Sequence, residues 1–99
     1  MQLIVDRRVD QFVSDLSETD QARVAGYIDL FRQYAFALPG KYFKKIDKNL
    51  WELRPGNIRL LLGKASTQIV IVSCFVKKSQ KTPIREIETA RKRLKEYQL

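Results

Sequence analysis

The 99-residue sequence contains no histidine and a single cysteine, Cys74. One thiol and no imidazole cannot provide a disulfide or a metal site of the usual Cys and His type. Because Cys74 lies within an apolar run, we interpret it as a small buried side chain rather than as a reactive thiol. The sequence also has no glycine-rich phosphate loop and no paired carboxylates at a catalytic spacing. These absences exclude most hydrolase mechanisms, and we expect neither a metal nor a cofactor.

Long hydrophobic runs are also missing. No apolar stretch approaches the roughly 18 residues that a membrane-spanning helix requires. The N-terminal segment reaches the acidic Asp6 too early for a signal peptide. The sequence therefore predicts a cytoplasmic protein with no membrane partner, and its length suits a single domain over residues 1–99.

The net charge of +8 is unevenly distributed along the chain. Residues 1–40 carry four arginines and six acids, a net charge of −2, whereas residues 41–99 carry fifteen lysines and arginines and five acids, a net charge of +10. Such an excess on part of a small domain indicates a polyanionic partner, most often nucleic acid. A solvated basic surface that maintains solubility would give the same count, so the charge alone leaves both interpretations open.

Residues 69–76 form the most apolar stretch of the chain and are rich in β-branched side chains. This composition predicts a strand that is covered on both faces and lies at the centre of a sheet. Three lysines follow between positions 77 and 81. The predicted strand therefore brings a cluster of positive charge to one edge of the sheet.

Helical spacing of apolar residues predicts two amphipathic helices between positions 9 and 35, joined by a turn at 17–20. We expect them to lie antiparallel as a hairpin on a sheet and the second to end at 38–40. Thr82 as N-cap and Pro83 at the first helical position predict a C-terminal helix. Its inward stripe is expected to run from Ile84 to Tyr97.

A period of two marks the predicted strands, which follow a short apolar strand at 2–5. The predicted strands cover residues 42–46, 50–54, 58–62 and 69–76, with a turn over 63–67. The fold class is therefore α+β, with an N-terminal helical hairpin packed on a mostly antiparallel sheet and a C-terminal helix.

Arg54 and Arg59 lie at facing ends of two predicted strands, so strand pairing brings them close. Arg59 interrupts an apolar strand and requires a partner or a function there. Glu52 shares a face with Arg54, so one interpretation is a structural ion pair between Glu52 and either arginine. The other is that both arginines join Lys77 and Lys78 in a concave cationic site for a phosphodiester.

Ribonucleases of the transesterifying kind need few catalytic groups, because the RNA supplies its own 2′-hydroxyl nucleophile. The protein must position the RNA, neutralise the phosphate and move protons. Tyr97, near the basic C-terminus, is a candidate for proton transfer or for stacking on a base. It is also the last residue of the apolar stripe of its helix, so a purely structural role stays open.

The sequence resembles the RelE-like toxins of bacterial toxin–antitoxin systems, and most closely their HigB or phage-derived branch. The resemblance covers nearly the whole chain. Its most specific part is the string Lys-Lys-Ser-Gln-Lys-Thr-Pro at 77–83, followed by Glu-Ile-Glu. The supporting motifs are Leu-Trp-Glu-Leu-Arg at 50–54, Ile-Arg-Leu at 58–60 and the helix at 86–93.

The resemblance implies a RelE-like α+β fold and metal-independent cleavage of mRNA in the ribosomal A site. It also implies neutralisation by a cognate antitoxin, expected to be a HigA-like helix-turn-helix protein. Arg54 and Arg59 match the strand arginines of the family site, and Lys77 and Lys78 match the basic pair after its last strand.

The sequence departs from the best-studied RelE members at three positions. Leu50 and Glu52 replace lysines, and Ile84 stands near the position of a tyrosine. Proton transfer must therefore be arranged differently, with Glu52 and Tyr97 as candidates. The scaffold also resembles ParE toxins, which inhibit DNA gyrase without cutting RNA. The alternatives to a ribonuclease are thus a gyrase inhibitor and a plain RNA-binding module.

Overall fold

A computed structural model of the chain describes residues 2–98. Its elements are β1 (Gln2–Val5), α1 (Arg7–Ser14), α2 (Glu18–Tyr34), a 3-10 turn (Ala35–Ala37), β2 (Phe43–Asp47), β3 (Leu50–Leu53), β4 (Ile58–Ala65), β5 (Gln68–Val76) and α3 (Ile84–Lys95). The strand order is β1-β5-β4-β3-β2. β1 pairs in parallel with β5, and the other pairings are antiparallel. This architecture confirms the predicted α+β fold.

The sheet lies between two helical layers. Helices α1 and α2 pack on one face, which we call the hairpin face, where Val9, Val24 and Phe31 join apolar side chains of the strands. Helix α3 packs on the other face, the α3 face, through Ala90 and Leu94. Within residues 2–98, no helix has the length and apolarity needed to cross a membrane.

Strand β5 is buried on both faces, as its composition predicts, with 5% exposure or less from Ile69 to Val72. It is not the central strand, however. β4 holds that position, because only the short β1 lies beyond β5 whereas β3 and β2 continue the sheet beyond β4.

A bulge in β5 changes which side chains share a face. Leu61 pairs with Ser73 but the next residue, Leu62, pairs with Ile71, so the ladder shifts by one residue. As a result Val72 and Phe75, which are three residues apart, both face α3. A strict period of two would have placed them on opposite faces.

The predicted turn over 63–67 is too long. β4 continues through Ala65, and the turn consists of Ser66 and Thr67. Gly63 is needed for close packing inside the strand rather than for a turn. A Cβ atom there would lie 2.5 Å from the Asn49 carbonyl oxygen and 2.7 Å from Leu94 Cδ2.

Two helix ends also differ from the prediction. α2 ends at Tyr34 instead of continuing to 38–40, because Ala35 adopts a positive φ of 50°. Pro83 is the N-cap of α3, since the Thr82 hydroxyl binds Glu52 instead of the helix N-terminus. Ile84 points outward at 74% exposure, so the inward stripe begins later than predicted.

Candidate functional site

The Glu52 carboxylate is the centre of a buried polar group on the α3 face. Its Oε2 accepts a hydrogen bond of 2.7 Å from the Thr82 hydroxyl. Its Oε1 lies 3.6 Å from Arg54 Nε and 3.7 Å from Arg59 Nε. The predicted ion pair is thus present with both arginines. Because the Glu52 side chain is only 7% exposed, it connects β3, β4 and the segment before α3 from within the protein.

Arg59 is enclosed by the protein rather than presented to solvent. Its side chain is 8% exposed, and Nη1 donates hydrogen bonds of 2.8 Å to the carbonyl oxygens of Gly56 and Ile58. Burial lowers the pKa of Arg59, while the nearby Glu52 carboxylate opposes that shift. The guanidinium therefore stabilises the turn between β3 and β4.

The segment of residues 77–83, here called the β5–α3 loop, lies over Arg59. The Lys77 amide donates a hydrogen bond of 2.7 Å to the Asn57 carbonyl, which fixes the start of the loop. Arg59, Lys77 and Lys78 line one space, as the sequence predicts, but its volume is only about 10 Å³. A volume of that size holds about one water molecule, so this space is too small for a phosphate.

An open pocket of about 340 Å³ lies beside this closed space, between β2, β3, the β5–α3 loop and α3. We call it the basic pocket, since four cationic residues, Lys44, Lys45, Arg54 and Lys81, line it around Glu52. The Arg54 side chain is 28% exposed. Its Nε is buried and faces Glu52 Oε1, and its Nη1 lies at the long distance of 3.5 Å from the Gly40 oxygen. The partly exposed Arg54 side chain can therefore present its charge to a ligand in the pocket.

Lys44 and Lys81 are site residues that the sequence reasoning missed. Lys44 lies directly opposite Glu52 in the register of β2 and β3, so both side chains lie on the α3 face. The register of this hairpin was the signal that could have identified Lys44. Lys81 belongs to the predicted lysine cluster, but only the path of the loop places it in the basic pocket.

Tyr97 lies elsewhere, at the β1 edge of the sheet. Its hydroxyl donates a hydrogen bond of 2.7 Å to Asp6 Oδ2, and β5 and β4 separate β1 from the strand of Arg54. Burial, and secondarily the bond to the Asp6 carboxylate, raise the pKa of Tyr97. A raised pKa makes the phenol a poorer base near neutral pH. The structure therefore does not bring Tyr97 together with the predicted arginines.

Asp6 belongs to a hydrogen-bonded network that we call the Asp6 network. The Asp6 carboxylate accepts hydrogen bonds from the backbone and the guanidinium of Arg8, and Arg8 also pairs with Glu96 at 2.7 Å. The bond from Arg8 holds the pKa of Asp6 well below its usual range. These contacts satisfy the polar groups of the network, so its role is to join α1 to the end of α3.

Arginines and lysines have different roles in residues 2–98. All six ion pairs found there use an arginine, and none uses a lysine. The lysine charges are therefore available to an external anion. Nothing in the same range groups three or more acidic, His or Cys side chains as a metal site would require. Lysine and arginine side chains in such a pocket can bind an anion, and phosphate is one that they bind well.

A family model described as "Phage derived protein Gp49-like (DUF891)" matches residues 11–95. The match includes every residue of the basic pocket and most of the chain. No curated protein matches the sequence.

Proposed function

The chain belongs to the Gp49-like family of phage-derived proteins, within the RelE/HigB-like toxin superfamily, and we propose that it is the toxin of a type II toxin–antitoxin system. More narrowly, we assign it to the HigB branch, as a ribosome-dependent endoribonuclease. The string at 77–83, which enters the basic pocket through Lys81 and Thr82, supports this assignment.

The observation that carries the proposal is the open basic pocket with the partly exposed Arg54 side chain in its lining. In RNA transesterification, the 2′-hydroxyl loses its proton to water as its oxygen attacks the neighbouring phosphorus, and the bond to the 5′-oxygen breaks as that oxygen takes up a proton from water. The products are a 2′,3′-cyclic phosphate and a 5′-hydroxyl. Negative charge accumulates on the phosphate in the transition state. Arg54, Lys44 and Lys81 surround a space large enough for that phosphate, and their charge stabilises it.

Glu52 has a positioning role in this proposal rather than a role in proton transfer. Its carboxylate is buried and both oxygens are already engaged, Oε2 by the Thr82 hydroxyl and Oε1 by the two arginines, so it holds these groups in place instead of exchanging a proton with RNA. Arg59 likewise acts from beneath the pocket. Lys77 and Lys78 extend the positive surface along the β5–α3 loop.

The partners in this proposal are the ribosome with its mRNA and a cognate antitoxin, a HigA-like helix-turn-helix protein. An antitoxin silences the toxin most directly by covering the basic pocket with acidic side chains. Charge-led capture of this kind gives fast association that slows as salt rises. Association rates measured at about 50 mM and 500 mM salt test it, and a rate that does not change would contradict it.

The function is tested by brief expression in bacteria, with RNA 5′ ends and DNA breaks mapped in the same cells. We expect in-frame cuts within translated messages. Arg54→Ala should reduce cutting by about 10²- to 10³-fold, whereas Arg85→Ala, which removes an equal charge from an exposed residue of α3, should not. Broken DNA with intact messages would instead support the gyrase-inhibiting alternative, and growth without either lesion would reject both toxin activities.

A further inference from the structure

An exposed group of aromatic and lysine side chains lies on the hairpin face, beyond the C-terminal end of α2. We call it the aromatic–lysine patch and define it by Phe36, Lys45, Trp51 and Lys64. The rings of Phe36 and Trp51 meet edge to face with centroids 4.9 Å apart. Lys45 Nζ lies 5.3 Å from the Trp51 centroid, and Lys64 Nζ lies 4.7 Å from Phe36 and 5.6 Å from Trp51.

Strand register builds this patch. Lys45 is the direct partner of Trp51 across β2 and β3, and Lys64 lies two residues beyond the partner of Trp51 on β4. All three side chains therefore share one face. Because α2 ends at Tyr34, the following 3-10 turn places Phe36 beside them, just beyond the end of α2.

The patch is accessible and positively charged. Lys45 and Lys64 are exposed, Phe36 is 37% exposed and Trp51 is half-buried. Neither lysine forms an ion pair within the part of the chain that the structure describes. Each ammonium is therefore balanced only by the weak attraction of an aromatic ring, which is worth about 0.5–1 kcal/mol at an exposed site.

We propose that the aromatic–lysine patch is a second RNA-binding surface, which holds a single strand by stacking a base on Trp51 and Phe36. Aromatic rings with flanking cations are the arrangement that binds single-stranded nucleic acid without strong sequence preference. The phosphates on either side of the stacked base replace the rings as partners of Lys45 and Lys64. This binding needs no cleavage, so it goes beyond the nuclease activity proposed above.

The two surfaces lie mainly on opposite sides of the sheet and meet at Lys45, which lies beside Trp51 and also lines the basic pocket. Trp51 belongs to the hairpin face and its neighbour Glu52 to the α3 face. A protein with this arrangement contacts RNA on both sides of its sheet. The patch anchors one strand while the basic pocket on the other side acts on a second.

Trp51 is the only tryptophan in the chain, so its fluorescence reports directly on the patch. The full chain is titrated with a single-stranded oligouridylate of about 10 nucleotides, labelled so that anisotropy measures binding independently. We expect saturable quenching of Trp51 that weakens as salt rises. Lys64→Ala, at a residue that does not line the basic pocket, should lower the slope of log affinity against log salt by about 0.7 for its lost phosphate contact, and Lys45→Ala added to it should lower the slope by about 0.7 more.

The charge-matched control is Lys92→Ala with Lys95→Ala, two exposed lysines of α3 on the other side of the sheet. Quenching should survive in this control and in Arg54→Ala, which tests the nuclease proposal separately through loss of cutting. The inference is overturned if RNA does not bind, if it binds without changing Trp51 emission, if both lysine pairs matter equally, or if Arg54→Ala abolishes quenching.

Discussion

The two faces of the sheet are covered in different ways. Two helices cover the hairpin face, where α1 and α2 bury Val9, Val24 and Phe31 against apolar residues of the strands. One helix of twelve residues covers the α3 face, and there the polar Glu52, Arg59 and Ser73 are also buried. They lie where α3 gives way to the β5–α3 loop. The basic pocket therefore lies where the apolar face of α3 no longer covers the sheet. Buried charged groups there are stabilised by hydrogen bonds and ion pairs with one another.

The largest effect on stability is expected from disrupting the buried polar group of Glu52 and Arg59 beneath the β5–α3 loop. Arg59→Ala should lower the free energy of unfolding by about 3–5 kcal/mol, because it leaves the buried Glu52 with less compensation. Arg54→Ala, at a partly exposed position, should cost about 1 kcal/mol or less. Urea denaturation of both variants measures the contrast. Equal losses of stability would contradict the assignment of Arg59 to a structural role and of Arg54 to ligand binding.

Substitution of two glycines compares the packing density beneath α3, at Gly63, with that on the surface of α2, at Gly26. Gly63→Ala should destabilise by about 3 kcal/mol, the upper end for overpacking, because the new methyl group meets a backbone oxygen and Leu94. Gly26→Ala, on α2 with nothing from residues 2–98 within 4 Å of the new Cβ, should stabilise by about 0.5–1 kcal/mol. Thermal denaturation should therefore shift in opposite directions, and a neutral Gly63→Ala would refute the close contact.

The hydrogen bond that ties the loop to β3 is expected to matter less. Thr82→Val keeps the side-chain shape but removes the donor to Glu52, which should cost about 2 kcal/mol, as for other hydrogen bonds to charged groups. Thr82→Ser retains the hydroxyl and is the control. If the two variants unfold at the same urea concentration, the hydroxyl does not hold the loop.

The smallest expected effect concerns the Asp6 network, which ties the two helical layers together around the edge of the sheet. The pKa of Asp6 is depressed in the folded state, so its stabilisation is present above the ordinary aspartate value and is lost as pH falls below about 4. The loss should be on the order of 1–2 kcal/mol, because Arg8 is partly exposed. In Asp6→Asn, the free energy of unfolding should depend less on pH below about 4. An unchanged pH dependence would show that the Asp6 network does not cause the loss of stability in acid.

The sequence by itself determined the types and order of the elements. Apolar spacing in α1 and α2, alternation in the strands and the apolar composition of β5 are local patterns, and each is set by which side chains must leave water. The ion pair between Glu52 and its arginines was also predictable, because residues two apart on a strand share a face. The predicted catalytic roles of Arg54, Arg59, Lys77, Lys78, Glu52 and Tyr97 stay predictions.

Only the tertiary structure decided where the charges meet. The bulge in β5 set which side chains face α3, and the register of β2 on β3 placed Lys44 opposite Glu52. The path of the β5–α3 loop closed the space above Arg59 and left Arg54 open, and the packing of α3 took Tyr97 to Asp6. These contacts join residues far apart in the chain, so their geometry depends on how whole elements pack and no local pattern encodes it.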